Sequence, residues 1–224
     1  MLLTLPAVLN SEEVRVAQGL LKQGSFVDGK LSAGKEAVRV KYNEELQARE
    51  DLTTPLNNLV MGKLVRHPTY LAAALPAGVA APFYARYTAG MHYGNHVDDP
   101  VMGPANQRYR SDISITIFLN APTDYDGGEL VIVSNFGEQQ VKLAAGDAVM
   151  YPSSSTHRVN EVTRGERLVA VTWCQSMIRD ATQRELLYNL SLARDALIAE
   201  NATAATTQRV SNAYTNLVRM WAEI

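Results

Sequence analysis

The chain has 224 residues, of which 46% are hydrophobic, with 21 basic and 23 acidic side chains. This length and apolar content predict one large domain, or one domain with an appendage, built on a substantial core. The nearly balanced charge argues against a nucleic-acid partner, and no apolar run approaches the roughly 18 residues that a membrane span requires.

The single cysteine and the first residues predict the cellular location. Cys174 lies in an apolar run, cannot form a disulfide within the chain, and is expected to be a small core residue. Such a chain suits a reducing compartment. Residues 1–6 have neither the basic region nor the sustained apolar region of a secretory signal. We therefore expect a cytoplasmic protein.

Two helices are predicted in the first third of the chain. Asn10 is a capping residue followed by two acids, and apolar residues then recur at helical spacing from Val14 to Leu21. Gly24 is the expected stop. A second helix is predicted from about residue 54 to 65, and the dipeptide His67-Pro68 should end it. The segment 31–40 is mixed and interrupted by glycine.

From about residue 80, short extended runs replace the helical spacing. Turn-forming sequences separate these runs at residues 123–128, 135–137, 144–147 and 163–166. The predicted strands span residues 83–87, 113–119, 128–134, 140–143, 148–151, 157–162 and 168–173. Many short strands with glycine-rich turns favour a sandwich or a barrel.

The composition changes again after residue 176. Residues 181–199 are rich in Leu, Ala, Arg and Glu, residues 201–207 are mostly small, and residues 208–223 again show helical apolar spacing. We predict a helical hairpin packed on the β core, serving as a structural cover or a dimer contact.

Two histidines and one aspartate form a candidate metal site. His96 and Asp98 are two residues apart, so both side chains point to the same side of an extended segment, whereas Asp99 points to the other. His157 lies far enough along the chain to return on a neighbouring strand. Two imidazoles and one carboxylate that leave metal positions open are the ligand set of non-haem Fe(II) oxygenases.

Arg167 is the second candidate functional residue. It is the first residue of the apolar run 167–173, so we expect it to be buried. A buried arginine requires an anion, and its planar guanidinium matches the geometry of a carboxylate. A metal and a carboxylate anchor together indicate a 2-oxoglutarate-dependent oxygenase. Arg158 and Arg164 are the alternatives. Arg158 adjoins His157 and should face the opposite way, and Arg164 lies in the predicted turn.

Other interpretations of the same residues stay open. A zinc hydrolase could use the same three ligands plus water, although Arg167 would then have no clear role. A non-enzymatic cupin-like protein or sensor could use the metal to shape a ligand pocket. His67, which precedes Pro68, is expected to lie in a loop without a functional role, and His92 is expected at most to line the site. Arg110 and Asp112 could touch substrate, but a surface ion pair is the simpler expectation.

The metal residues favour a jelly roll over an immunoglobulin-like sandwich, because the jelly-roll class includes the metal-binding cupins. The predicted fold is mainly β with flanking helices: a double-stranded β-helix, or jelly-roll, core plus the C-terminal helical hairpin. We expect residues 1–79 to support the barrel, residues 80–177 to form the core, and residues 178–224 to form the helical region.

A series of motifs in chain order resembles a known family. The motifs comprise residues 87–98, which end in His-Val-Asp, and then residues 113–120, 125–130, 146–157, 164–167, 173, 175–180 and 221–224. This series resembles the prolyl-4-hydroxylase branch of the Fe(II)/2-oxoglutarate-dependent dioxygenases, and specifically the PKHD-type hydroxylases. The resemblance covers nearly the whole chain.

The resemblance implies a function for each candidate residue. It implies that His96, Asp98 and His157 bind Fe(2+), and that Arg167 binds the distal carboxylate of the cosubstrate 2-oxoglutarate, with Tyr87 as a candidate hydrogen-bond donor. 2-Oxoglutarate would be decarboxylated to succinate while O2 hydroxylates an unidentified small-molecule or peptide substrate, with L-ascorbate (vitamin C) as a possible reductant.

One departure from the family pattern concerns the cosubstrate tail. Many animal prolyl hydroxylases have a tyrosine on the strand that matches residues 113–120, where this chain has Ile117 and Phe118. The hydroxyl that assists Arg167 must then come from another residue, and Thr116 and Tyr87 are the candidates.

Overall fold

Two antiparallel sheets face each other across the centre of the molecule, and helices cover the outer face of the larger sheet. The computed structural model describes residues 1–32, 34 and 37–223. The predicted fold class, a jelly-roll-like β core with flanking and C-terminal helices, is confirmed.

Within the described residues the chain forms sixteen short or medium-length strands. Numbered in chain order, they are β1 Leu3–Leu5, β2 Phe26–Asp28, β3 Lys41–Tyr42, β4 Glu44–Leu46, β5 Pro76–Val79, β6 Phe83–Thr88, β7 His92–His96, β8 Val101–Met102, β9 Tyr109–Arg110, β10 Ile113–Phe118, β11 Tyr125–Gly127, β12 Leu130–Ser134, β13 Gly137–Val141, β14 Ala148–Pro152, β15 His157–Val159 and β16 Val162–Ser176.

The same residues form five α-helices. They are α1 Ser11–Leu21, α2 Glu50–Leu64, α3 Pro68–Ala74, α4 Ala181–Asn201 and α5 Ala205–Trp221, and two short 3-10 turns span Gly29–Ser32 and Ala37–Arg39. No helix of the described part of the chain combines the length and apolarity needed to cross a membrane.

The larger sheet has the strand order β1-β14-β10-β16-β6-β4-β2, and β5 and β11 also pair with β16. The smaller sheet has the order β13-β12-β15-β7-β3, while β8 and β9 form a separate hairpin. All these pairings are antiparallel. The sheets therefore form the two layers of a sandwich, and β16 is the long central strand of the larger layer.

Strand β10 illustrates why the larger sheet is buried on both faces. All six of its residues are buried. Ile113, Ile115 and Ile117 pack with α1, α2 and α3, whereas Phe118 packs between the sheets. Because side chains alternate along a strand, Ser114 and Thr116 also face the interior between the sheets. This interior is where the polar residues of the site lie.

Helix α1 begins where the sequence predicts it. The Asn10 side chain accepts hydrogen bonds from the backbone N–H groups of Glu12 and Glu13, and the Glu13 carboxylate accepts one from the Asn10 backbone. This reciprocal arrangement is a capping box, which satisfies N–H groups that the first helical turn leaves free. The helix ends at Leu21, three residues before the predicted stop.

The second helix and the segment after it differ from the prediction. Helix α2 begins at Glu50, four residues early, with Pro55 tolerated in its first turns. The dipeptide His67-Pro68 does separate two segments, but it also starts α3, which the prediction missed. Pro68 occupies the first helical position, where its missing N–H is not needed.

The boundary between β15 and β16 corrects two further predictions. The predicted strand 157–162 ends at Val159, and the predicted turn 163–166 is wrong because these residues lie within β16. Gly165 has a φ of +78°, and a Cβ there would lie 2.1 Å from the Asp124 carbonyl oxygen. The glycine thus permits a close approach between β16 and β11 instead of a reversal.

Residues 41–46 connect the two layers, and we call them the bridging segment. Its first part, β3, pairs with β7 in the smaller sheet, and its second part, β4, pairs with β6 in the larger sheet. Lys41, Asn43 and Glu45 all line the interior cavity, whereas Glu44 pairs with Arg86 outside it. The bridging segment therefore forms one side wall between the sheets.

The C-terminal helices pack on each other and on the segment that follows β16. Leu187 of α4 and Ile178 are fully buried, and Leu217, Val218 and Trp221 of α5 pack against this cluster. The Asp180 side chain caps α4 by accepting the Gln183 N–H. The predicted helical hairpin is present.

Candidate active site

The two histidines of the predicted metal site are neighbours in the smaller sheet. His96 is the last residue of β7, His157 is the first residue of β15, and the two are paired in the strand register. Asp98 follows β7 by two residues. Its Oδ1 lies 3.9 Å from His96 Nε2 and 3.7 Å from His157 Nε2. One ligand atom from each residue lies within 4.8 Å of the others, so the three can surround one ion.

Backbone carbonyls hold both imidazoles in the orientation that a metal requires. His96 Nδ1 donates to the Gly94 carbonyl oxygen at 2.8 Å, and His157 Nδ1 donates to the Ser155 carbonyl oxygen at 3.0 Å. With the proton on Nδ1, the lone pair of each Nε2 points towards the other ligands. Burial, and next the neighbouring His157, lower the pKa of His96 to about 4, so its ring is neutral near pH 7.

The larger sheet holds the carboxylate of Asp98. Its Oδ2 accepts hydrogen bonds from Ser114 Oγ on β10 and from Trp173 Nε1 on β16, the latter at 2.9 Å. Ser153 extends this network to Ser114 at 2.8 Å. These bonds occupy one oxygen and leave Oδ1 facing the imidazoles. Ser114 was not among the predicted site residues, although its alternate spacing in an apolar strand was a usable signal.

The donor set fits a divalent cation of intermediate hardness. Two imidazole nitrogens and one carboxylate oxygen converge from one side, and the Tyr93 ring stacks on His96 at 3.7 Å between centroids. These ligands suit Fe(II), and three protein ligands leave positions for small molecules. Asp99 lines the same cavity but is outside the ligand cluster, as the strand spacing predicts.

Arg167 lies deep in the same interior. It is 1% exposed, and its guanidinium lies 5.0 Å from the Tyr87 ring centroid and 5.5 Å from that of Phe118. Its Nε has no hydrogen-bond partner, and it forms no ion pair with any residue that the structure describes. A buried cation without a counter-charge is unfavourable unless an anion joins it. The space beside Arg167 therefore suits an anionic ligand.

The other two candidate arginines have protein partners. Arg158 donates two hydrogen bonds of 2.7 Å to the two carboxylate oxygens of Glu138. Arg164 likewise donates two hydrogen bonds, of 2.6 and 3.0 Å, to the carboxylate of Asp126. These pairs lie towards the surface. They leave neither guanidinium available for a ligand between the sheets.

One cavity of about 360 Å³ connects these groups. Besides the three candidate metal ligands, Tyr87, Thr116 and Arg167 line it. Burial raises the pKa of Tyr87 to about 12, so its hydroxyl keeps its proton and can donate. Tyr87 and Thr116, the two predicted hydroxyl donors to the cosubstrate tail, thus both line the cavity.

The remaining candidates lie away from this cavity. His67 precedes α3 and contacts the Pro6 carbonyl oxygen at 3.1 Å, while His92 is exposed. Arg110 Nε donates to Asp112 at 2.7 Å, and Asp112 also accepts the Ser176 N–H. Because the Asp112 side chain is only 7% exposed, this is a structural link to the end of β16 and not a surface pair.

Comparison with known proteins gives two family matches. Residues 82–175 match the 2OG-Fe(II) oxygenase superfamily, and residues 181–223 match the PKHD-type hydroxylase C-terminal domain. A PKHD-type hydroxylase from Thioalkalivibrio sulfidiphilus is 51% identical over 224 residues, which is the full length of both chains.

Two solved structures share the fold at low identity. A prolyl hydroxylase from Trichoplax adhaerens, in complex with a hypoxia inducible factor peptide fragment, has a TM-score of 0.55 and 17% identity, covering 83% of this chain and 86% of its own. HygX from Streptomyces hygroscopicus, with nickel and 2-oxoglutarate bound, has a TM-score of 0.54 and 15% identity, covering 79% and 84%.

Proposed function

This chain belongs to the PKHD-type hydroxylases of the 2OG-Fe(II) oxygenase superfamily, and from that membership we propose how its own residues perform the reaction. It is an Fe(II)- and 2-oxoglutarate-dependent hydroxylase. In our assignment His96, Asp98 and His157 hold Fe(II), and Arg167 binds the distal carboxylate of 2-oxoglutarate. The observation that carries this assignment is the single cavity that joins the three converging ligands to a buried arginine without a counter-ion.

The bound metal and 2-oxoglutarate supply oxidative decarboxylation to succinate coupled to insertion of one oxygen atom of O2 into a substrate C–H bond. The chain supplies position and charge. Two neutral imidazoles and one anionic carboxylate bind the cation, and hydrogen bonds from Ser114 and Trp173 fix the carboxylate. Such outer contacts orient ligands and commonly change metal affinity by about 10- to 100-fold.

Arg167 and Tyr87 form the anion site of the proposal. The two residues are directly paired across β16 and β6, so their side chains share one face of the larger sheet. The planar guanidinium can donate two parallel hydrogen bonds to a carboxylate, and the protonated Tyr87 hydroxyl can donate a third. Thr116 on β10 is the alternative hydroxyl donor.

The proposal extends to the substrate class, the reductant, the location and the division of the chain. We propose that the substrate is a small molecule or a peptide, that L-ascorbate acts as a reductant, and that the enzyme is cytoplasmic. We also propose the division into residues 1–79, 80–177 and 178–224. The family matches to residues 82–175 and 181–223 support this division.

Release of succinate tests the function directly. The protein is incubated under air with Fe(II), 2-oxoglutarate and a cell metabolite extract, and mass spectrometry follows succinate and any metabolite that gains one oxygen atom. Succinate release that depends on added Fe(II) is expected. Release of hydrolysis products with Zn(II) instead would favour the hydrolase, and metal binding without turnover would favour the cupin-like sensor.

Replacement of one proposed ligand tests the metal site separately. His157→Ala should abolish stoichiometric Fe(II) binding in equilibrium dialysis, because the chelate loses one of its three protein ligands. His92→Ala is the matched control, since that histidine is exposed on the neighbouring strand and outside the cavity. Unchanged iron binding by folded His157→Ala would contradict the assignment.

A further inference from the structure

The bridging segment places an ion pair on the wall of the active-site cavity, and the proposed mechanism does not use it. Lys41 Nζ lies 2.5 Å from Glu45 Oε1, and the two side chains are only 7% and 12% exposed. Lys41 Nζ also donates to Ser32 Oγ at 2.9 Å. A buried ion pair contributes little to stability, because desolvation offsets most of its attraction. A role in binding is the alternative reason for its presence.

The pair still has hydrogen-bonding capacity. An ammonium group has three N–H donors, and two of them serve Glu45 and Ser32. Glu45 Oε2 accepts no hydrogen bond from any residue that the structure describes. Since both side chains line the cavity, the pair offers it one charged donor and one charged acceptor side by side.

The strand register gives the depth of this pair in the cavity. On β6, Phe83 lies at the exposed end, Ala85 is opposite Glu45, and Tyr87 lies beside Arg167. Glu45 is therefore between the mouth and the proposed anion site. In the other layer Lys41 is 5.4 Å from the centroid of the Tyr93 ring, which stacks on His96. By register the pair lies between the proposed anion site and the metal ligands, because Lys41 is opposite Tyr93, three residues before His96.

The mouth of the cavity combines exposed apolar side chains with the exposed carboxylate of Asp99. Phe83, Val97 and Val101 line it and are each 42–53% exposed, and the Trp173 ring meets Phe83 edge to face at 5.8 Å. Exposed apolar side chains that surround a polar wall are typical of a site for a ligand with one polar and one apolar part.

We propose that the Lys41–Glu45 pair binds the zwitterionic head group of the hydroxylation substrate, and that the substrate is a free amino acid, or a close analogue, with an apolar side chain. The substrate carboxylate accepts from Lys41 Nζ, and its ammonium group donates to Glu45 Oε2. This inference rests on the proposed function. The reaction balances because 2-oxoglutarate loses carbon dioxide to become succinate, while one oxygen atom of O2 enters succinate and the other enters the substrate C–H bond.

Charge balance distinguishes a zwitterion from other ligands. A ligand with one charge would leave that charge uncompensated beside an ion pair that is already neutral, and such a buried excess charge is unfavourable. A zwitterion adds no net charge, and each of its ends meets the opposite sign. A neutral amide could form the same two contacts, but hydrogen bonds between charged groups are roughly twice as strong.

Fluorescence of Trp173 provides a direct binding assay, because the chain has two tryptophans and only Trp173 lines the cavity in the described part. In Trp221→Phe, loaded with Fe(II) and 2-oxoglutarate without oxygen, we would titrate valine, leucine, isoleucine, proline, methionine and phenylalanine. The best ligand is then compared with its analogue without the amine, its analogue without the carboxylate and its N-acetyl amide. Calorimetry on the unmodified chain provides the same ranking if Trp221→Phe is unstable.

We expect at least one amino acid to bind about tenfold or more tightly than each of its three analogues. The double variant Lys41→Met/Glu45→Gln removes both charges and leaves neither one unpaired, and it should abolish this preference. Binding by none of the six amino acids, equal binding of an analogue, or full affinity in the double variant would each overturn the proposal. Tightest binding of the N-acetyl amide would indicate a peptide substrate instead.

Two controls separate this inference from the proposed function. Glu44→Gln alters the adjacent residue, which pairs with Arg86 outside the cavity, and Lys63→Met breaks an ion pair with Glu13 on α1 and α2. Both should keep the amino-acid preference. The 2-oxoglutarate dissociation constant of the double variant should stay within about threefold of the parent. Failure of the unmodified chain to bind 2-oxoglutarate would refute the proposed function. Failure of the double variant alone would instead show that the Lys41–Glu45 pair binds the cosubstrate, which would overturn this inference.

Discussion

Replacement of Arg167 by alanine should weaken 2-oxoglutarate binding by about 10- to 100-fold. The guanidinium is 1% exposed, lies against Tyr87 and Phe118, and has no ion-pair partner among the described residues. A charge-assisted pair contributes roughly 1.5–3 kcal/mol, and each 1.4 kcal/mol corresponds to a factor of ten in affinity. Fe(II) affinity should barely change, because Arg167 is not one of the three converging ligands.

The measurement is a titration of 2-oxoglutarate into the Fe(II)-loaded, oxygen-free protein, followed by metal-to-ligand absorbance. Arg158→Ala and Arg164→Ala are matched controls, since each removes a guanidinium that pairs with a surface carboxylate, and neither should change the dissociation constant. Arg167→Lys should retain part of the affinity, because a point charge replaces the planar fork. An unchanged dissociation constant in folded Arg167→Ala would refute the reasoning.

Three further outcomes follow from the geometry. Asp98→Asn should lose turnover while Asp99→Asn keeps most of it, as measured by succinate release, and the reverse would show that the strand spacing misled the assignment. Ser114→Ala should weaken Fe(II) binding by about 10- to 100-fold in dialysis, since Asp98 loses an orienting hydrogen bond; unchanged affinity would contradict this. The free energy of unfolding of the metal-free protein should fall by up to about 1.4 kcal/mol per pH unit between pH 6.5 and 4. In this range His96 is protonated in the unfolded state but stays neutral in the folded state, where its pKa is lowered to about 4. Urea unfolding of the parent and of His96→Gln at pH 7 and pH 5 checks it, and an equal pH dependence in both would count against it.

Alternation along strands made much of the site predictable from sequence. The spacing of His96 and Asp98 indicated one shared face, and the structure brings both together with His157 even though β7 ends at His96. The apolar run after Arg167 indicated a buried position, and its guanidinium is buried.

Features that depend on tertiary contacts were not predictable. The predicted turn around Gly165 is part of β16, because pairing with β11 stabilises an extended conformation that the local sequence does not favour. The bridging segment has too few residues in each strand to show a period. The link from Ser114 to Asp98 joins the larger sheet to the segment that follows β7, and a single sequence carries no record of such a contact.

The division of the metal ligands between layers has a consequence for cooperativity. His96 and His157 belong to the smaller sheet, whereas the Asp98 carboxylate is hydrogen-bonded to Ser114 and Trp173 of the larger one. An ion bound by all three would cross-link the layers, so separating them would require its release. Amide hydrogen exchange in β7, β12 and β15 should therefore slow on addition of Fe(II) more than exchange in α4 and α5, which makes the cation a regulator of local unfolding as well as of chemistry.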